Sequence, residues 1–266
     1  MRSHPLLLIF LLSSTVSAQT PLEGSALKLY QQAKDRGRWS SEAEKLKPEI
    51  CPTSDGKSFF VRWRTVRAPK RWIVSLHGSQ GFATDDLAIW APHLKDREIG
   101  LVCLQWWLGT GDRTKDYFTP LEIYREIDLA LKKLDVKPGT AMLHGFSRGS
   151  ANSYAVVAID AGRGNHYFSL AVASSGGVGL DYPPTRSILD GEFGLRPLRD
   201  TRWITVAGAR DPNPDRDGIA GMKRVASWLS EQGAVVVESI EDPDNGHGAL
   251  MRNRKNAQRV LDLFLR

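Results

Sequence analysis

From residue 71 onward, short runs of β-branched and aromatic residues recur between longer stretches whose apolar positions fall three and four apart. The runs cover residues 71–76, 100–106, 140–143, 168–173, 203–207 and 234–240, and their nearly continuous apolar character predicts strands covered on both faces. Helical patterns over 120–134, 148–161, 220–229 and 250–265 separate several of them. Strand and helix in alternation predict an α/β fold, a mostly parallel central sheet with helices on both faces. Ligands of such sheets bind beyond the carboxyl ends of the strands, so the chemistry is expected in the loops that follow them.

Upstream, residues 59–64 alternate apolar and charged positions, which predicts a half-exposed edge strand. Before it lies a polar stretch with a helix expected from near Ala26, capped by Ser25 and containing Leu27, Leu29 and Tyr30. The connection over 175–200 is long and rich in glycine and proline, without strong periodicity. It predicts a loop rather than a helical cap, and no large cap domain. The chain therefore divides into a leader over 1–18, an N-terminal helical extension over 19–57 and one α/β domain over 58–266.

The leader reads as a secretory signal. Arg2 supplies the positive start, residues 6–12 are unbroken apolar, and Val16 and Ala18 sit three and one before the expected cut. A membrane span needs about 20 apolar residues, and Ser13, Ser14 and Thr15 end this run early. Cleavage leaves 248 residues, enough for one full-sized core, in a secreted or periplasmic protein with no membrane insertion. Loss of Arg2 lowers the net charge of +6 by one, and the remaining basic residues form no single tract. Arg252, Arg254, Lys255 and Arg259 alternate with apolar positions as a solvated helix face does, so a nucleic-acid partner is not expected. Cys51 and Cys103 form a disulfide in an oxidising compartment or stay separate thiols; the sequence leaves both open.

The strongest local signal is Gly145-Phe146-Ser147-Arg148-Gly149, directly after the 140–143 strand and directly before a helix of small and apolar residues. A strand–turn–helix of this form lifts a serine hydroxyl above the sheet, beside the positive end of a helix dipole. The turn is sharp enough to hold the serine at strained backbone angles. Glycine two positions to either side avoids collision.

On these residues the chain resembles the α/β-hydrolase family, over about residue 58 to the end. The resemblance implies a serine hydrolase, most simply a carboxylic ester hydrolase, in which Ser147 is followed in sequence by an acid and then a histidine. His247 is the matching base: it lies in Asp244-Asn245-Gly246-His247-Gly248, after the last strand. His166 precedes a strand, at the wrong end of the sheet; His144 reads as strand packing, His77 as a brace and His93 as helix surface. Asp211, beyond the 203–207 strand, is the first candidate for the acid, with Asp215, Asp217, Glu241 and Asp242 as rivals. The family places one oxyanion donor at the amide of the residue after the nucleophile, here Arg148. The other would come from His77-Gly78-Ser79-Gln80-Gly81, through Ser79 or Gln80.

Trp106 and Trp107 follow a strand end and are expected either to wall a substrate pocket or to pack beneath a loop; Phe146 and Tyr182 are nearby candidates. No His, Cys and carboxylate cluster has metal-ligand spacing, and acyl transfer through a serine requires no cofactor. A serine at 147 speaks against the dehalogenase and dienelactone branches of the family. Two other readings remain: a peptidase of the prolyl-oligopeptidase type, which resembles this core but usually carries a large N-terminal propeller, and a non-catalytic hydrolase-like binder. The expected partner is a small or polymeric ester.

Overall fold

The computed structural model describes residues 20–266, so the expected export signal over 1–18 lies outside the described residues. An eight-stranded sheet runs in the order β1-β2-β4-β3-β5-β6-β7-β8. Its strands are β1 (Glu49–Pro52), β2 (Phe59–Arg64), β3 (Arg71–Leu76), β4 (Ile99–Leu104), β5 (Ala141–Phe146), β6 (Phe168–Ser174), β7 (Arg202–Gly208) and β8 (Val235–Asp242). β1 and β2 pair antiparallel, as do β2 and β4; every pairing from β4 through β8 is parallel. The central strands are buried at successive positions, which point to opposite faces, so both faces are covered.

The helices are α1 (Gly24–Arg36), α2 (Ser40–Lys45), α3 (Ala83–Leu94), α4 (Pro120–Lys133), α5 (Arg148–Gly162), α6 (Pro183–Leu189), α7 (Ile219–Glu231), α8 (Ala249–Arg252) and α9 (Arg254–Leu265). α5 packs on β5 and β6 and is flanked by α4 and α6; α3 packs on β4 and meets α9. α4 shows how local chemistry sets a helix start. Thr119 caps it in a reciprocal box with Glu122, and Pro120 occupies the first turn, where its missing N–H costs nothing. Among the described residues, no helix is long and apolar enough to cross a membrane.

Several expected elements differ. β2 is not an edge strand: Phe59, Phe60 and Val61 are all buried, because the short β1 covers its outer side. β1 has four residues and ends on a proline, too short to leave a periodic signal. The sheet thus begins inside the 19–57 stretch expected to be a helical extension. α1 starts with Glu23 as its cap and Ser25 inside the helix; its inward face is Ala26, Leu29 and Ala33, while Leu27 is exposed. α3 is missed by periodicity because Asp86 faces the core and Pro92 lies in the last turn. The 175–200 connection contains α6, whose two prolines open the helix rather than break it. The 250–265 pattern is split at Asn253, whose side chain accepts from the Lys255 amide and caps α9. Cys51 and Cys103 are both free: β2 separates the strands that carry them.

Candidate active site

Ser147 sits between β5 and α5 at φ 53°, ψ −119°, a region where a non-glycine residue stores strain of about 1–3 kcal/mol. Its amide donates to the Ser174 carbonyl at 2.9 Å, which ties the turn to the neighbouring strand. A Cβ at Gly149 would overlap the Leu76 carbonyl oxygen, and one at Gly145 would overlap the Gly149 carbonyl. The two glycines therefore let α5 come down onto the sheet ends, as the motif requires.

Ser147, His247 and Asp211 come from three separate loops and form one hydrogen-bonded row. The Ser147 hydroxyl lies 2.9 Å from His247 Nε2, and His247 Nδ1 lies 2.8 Å from Asp211 Oδ2. A carboxylate only accepts, so Nδ1 carries the proton and Nε2 is the acceptor for the serine hydroxyl. Asp211 is 5% exposed, and its other oxygen accepts from the Asn213 amide at 2.8 Å. The imidazole remains 31% exposed and packs beside the Phe146 ring, centroids 5.1 Å apart.

The rival acids are committed elsewhere. Asp217 takes a two-pronged ion pair from Arg216 and a bond from the Gly177 amide. Glu241 pairs with Lys223 at 3.1 Å, and Asp215 is exposed. Asp217 does bring an oxygen within 4.8 Å of ligand atoms of Asp211 and His247. Within that trio Arg216 pairs with Asp217, and the imidazole donates its Nδ1–H to Asp211.

Asp242 has a different role. Burial alone would push its carboxyl up, but bonds from Asn253, Asn245, the Asp244 amide and Asn256 outweigh this and hold it down at about 2. It thereby pins both ends of the segment that carries His247. A depressed carboxyl contributes stability that is complete above its unfolded value of 3.8 and is lost as pH falls through about 2. Asp242→Ala is expected to cost about 3 kcal/mol at neutral pH, because the side-chain amides of half-buried Asn245 and Asn253 and of buried Asn256 lose this shared acceptor. The check is Tm against pH for both proteins: the gap should be widest at neutral pH and shrink between pH 4 and pH 2.

The loop after β3 packs against the serine turn: a Cβ on Gly78 would lie 3.2 Å from that of Ser147. Its amides are not equivalent. Gln80 N–H donates to the Tyr117 hydroxyl at 3.0 Å, whereas Ser79 N–H has no partner among the described residues. The Arg148 amide opens α5, where no preceding turn supplies an acceptor. Of the three candidate oxyanion donors, the Ser79 and Arg148 amides are therefore the ones not already engaged by a side chain. His77 braces the loop: Nδ1–H donates to the Gly78 carbonyl, Nε2 accepts from the Trp106 amide, and burial drives its pKa down to about 4 despite that first bond. His144 is buried beneath the sheet end, bonded by Ser75 and Trp90 and held neutral, at about 3, by burial. His166 is exposed and remote from Ser147 in the sheet, just before β6, and His93 is half-buried on α3.

The Arg148 side chain lies 4.4 Å above the Tyr117 ring, with Nη1 2.8 Å from Asp112 Oδ1. The Tyr117 hydroxyl donates to that same oxygen at 2.6 Å. Gln80, Tyr117, Asp112 and Arg148 form a continuous polar link between the β3 loop and the start of α5. Sequence reading passed over Asp112 and Tyr117, which sit in a loop with no motif. Trp106 is buried against Tyr117 and donates to the His77 carbonyl. Trp107 takes the packing alternative: only 2% exposed, it donates to the Gly111 carbonyl and packs on Phe82 under Arg36. α1 holds that loop from behind, through Gln32 to the Gly109 carbonyl.

No family model and no curated protein matches the sequence. Solved structures match in fold. Acyl-protein thioesterase 2 of Zea mays superposes with a TM-score of 0.55 at 18% identity, covering 78% of this chain and 99% of its own. An arylesterase gives a TM-score of 0.60 at 14% identity, over 92% of this chain and 97% of its own. The carboxylesterase of Bacillus cereus gives 0.53 at 14% identity, over 89% and 97%. The fold is that of the α/β-hydrolases, without a large cap domain.

Proposed function

We propose that this chain is an exported serine hydrolase that cleaves carboxylic esters, with Ser147 as nucleophile. The observation that carries the reading is the row from the Ser147 hydroxyl through His247 to Asp211, with bonds of 2.9 and 2.8 Å. The chemistry follows from its polarity. His247 Nε2 takes the hydroxyl proton as Ser147 Oγ bonds to the ester carbonyl carbon, and Asp211 stabilises the imidazolium that forms. The carbonyl oxygen gains the negative charge, which the amides of Ser79 and Arg148 receive. Collapse breaks the ester C–O bond, and the imidazolium returns its proton to the departing alkoxide. Water, deprotonated by the same nitrogen, then attacks the acyl-enzyme and releases the acid. Neighbours described as a thioesterase, an arylesterase and a carboxylesterase favour acyl transfer on this fold. The signal-like pattern over residues 1–18 supports export, to a secreted or periplasmic location.

Purified protein lacking residues 1–18 is expected to label at Ser147 with a fluorophosphonate. On p-nitrophenyl esters from acetate to palmitate, kcat/KM should be highest at the short end. Among the described residues, α6 with its flanking loop and the loop carrying Tyr117 border the Arg148 side of the site without a cap domain, and each methylene left unburied forgoes about 0.8 kcal/mol. A maximum on the long chains would make the protein a lipase. A higher kcat/KM on a peptide p-nitroanilide would make it a peptidase, and absence of labelling would leave it a binder.

A further inference from the structure

Arg148, the residue after Ser147, lines a cavity of about 200 Å³. Trp106, Tyr117, Phe118, Tyr182, Pro184 and Phe193 supply its apolar lining. An apolar cavity of about 150 Å³ is enough to take up benzene, so this one holds a single substituted ring and not a whole substrate. The aromatic walls offer the offset and edge contacts that another ring prefers.

Charge at the cavity decides which ring. The guanidinium of Arg148 is not waiting for an anion: Asp112 holds it at 2.8 Å, and the Asp112 carbonyl oxygen lies 3.3 Å from both terminal nitrogens. Glu192 is the other charged residue on the rim, and it is exposed. A ring bearing a carboxylate would have to displace Asp112 or settle beside two carboxylates. A neutral ring meets a charge-matched pair and stacks without that cost. We propose that this cavity is the subsite for one neutral aromatic ring of the ester substrate, and that Asp112, by occupying Arg148, excludes rings that carry a carboxylate. The proposal rests on the esterase reading above and adds the substrate class and the residue that sets it.

The test uses two pairs of esters: phenyl acetate against 4-acetoxybenzoate, with the ring in the alcohol, and methyl benzoate against monomethyl terephthalate, with the ring in the acid. In at least one pair the wild-type protein should prefer the neutral member by about tenfold or more in kcat/KM, because like-charge juxtaposition at an interface is costly. Intrinsic reactivity differs within each pair, so the decisive quantity is the change between variants. Asp112→Asn should bring the ratio towards one by releasing Arg148 for the substrate carboxylate. Ser187→Phe, on the α6 side of the cavity, should lower kcat/KM for ring-bearing esters relative to ethyl acetate by about tenfold, as lost apolar burial of a ring predicts. An unchanged neutral-to-charged ratio in Asp112→Asn overturns the role of Asp112. An unchanged ring-to-ethyl ratio in Ser187→Phe overturns the cavity as the ring site. Fluorophosphonate labelling is read on the same samples. Absent label in the wild-type protein is failure of the esterase reading, whereas a labelled protein with unmoved ratios is failure of the subsite alone.

Discussion

Ser147→Ala is expected to lower ester turnover by about 10⁶-fold while leaving the far-ultraviolet circular dichroism unchanged. The loss is large because, in the proposed mechanism, the serine oxygen bonds to the acyl carbon; without it His247 would have no hydroxyl to deprotonate, and only binding and the amides of Ser79 and Arg148 would remain. The fold should survive for a local reason. Alanine keeps the same Cβ, so the strain at φ 53° is no greater, and the backbone bond from residue 147 to Ser174 does not involve the side chain. A variant that retains activity with an intact spectrum would remove Ser147 from the mechanism.

Asp211→Asn is expected to reduce kcat by about 10⁴-fold with little change in KM. A carboxylate at this position accepts from Nδ1–H and leaves Nε2 free to take the serine proton. An amide can present its NH₂ instead, which favours the opposite tautomer, with the proton on Nε2 and no base facing Ser147. The Asn213 amide still bonds residue 211, so the loop has reason to stay in place. Asp215→Asn, Asp217→Asn, Glu241→Gln and Asp242→Asn are the parallel variants, measured for kcat with the same ester. None of those carboxylates contacts the imidazole, so none should reproduce the tautomer effect; Asp242→Asn should act through stability instead. A crippled Asp215 or Glu241 variant beside an active Asp211→Asn would assign the acid elsewhere.

Much of this was legible in one dimension, where the physics is local. The parallel core shows in the continuous apolar runs, because a strand covered on both faces has no polar side to alternate. The serine turn shows in its glycines, because its backbone passes closer to Leu76 than any Cβ permits. His247 shows because one histidine follows the last strand. Elements fail where a neighbour overrides local preference: β2 reads as an edge until β1 covers it, and α3 disappears from the pattern because Asp86 is turned inward to meet Ser75.

The sequence by itself determined the parallel strands of the sheet, the turn that carries Ser147 and the loops in which the candidate base and acid were sought. Tertiary structure decided which groups meet. Five candidate acids lie in the loop after β7 or at the end of β8, and only the packing of β7 against β8 brings Asp211 to within 2.8 Å of His247. Ser79 and Gln80 are adjacent in the chain, yet Tyr117, thirty-seven residues beyond Gln80, takes the amide of one and leaves the other free. Trp106 and Trp107 are likewise adjacent, and the strand end turns one towards the cavity and the other beneath α1. These outcomes depend on distances between segments far apart in sequence, and no spacing along the chain encodes them.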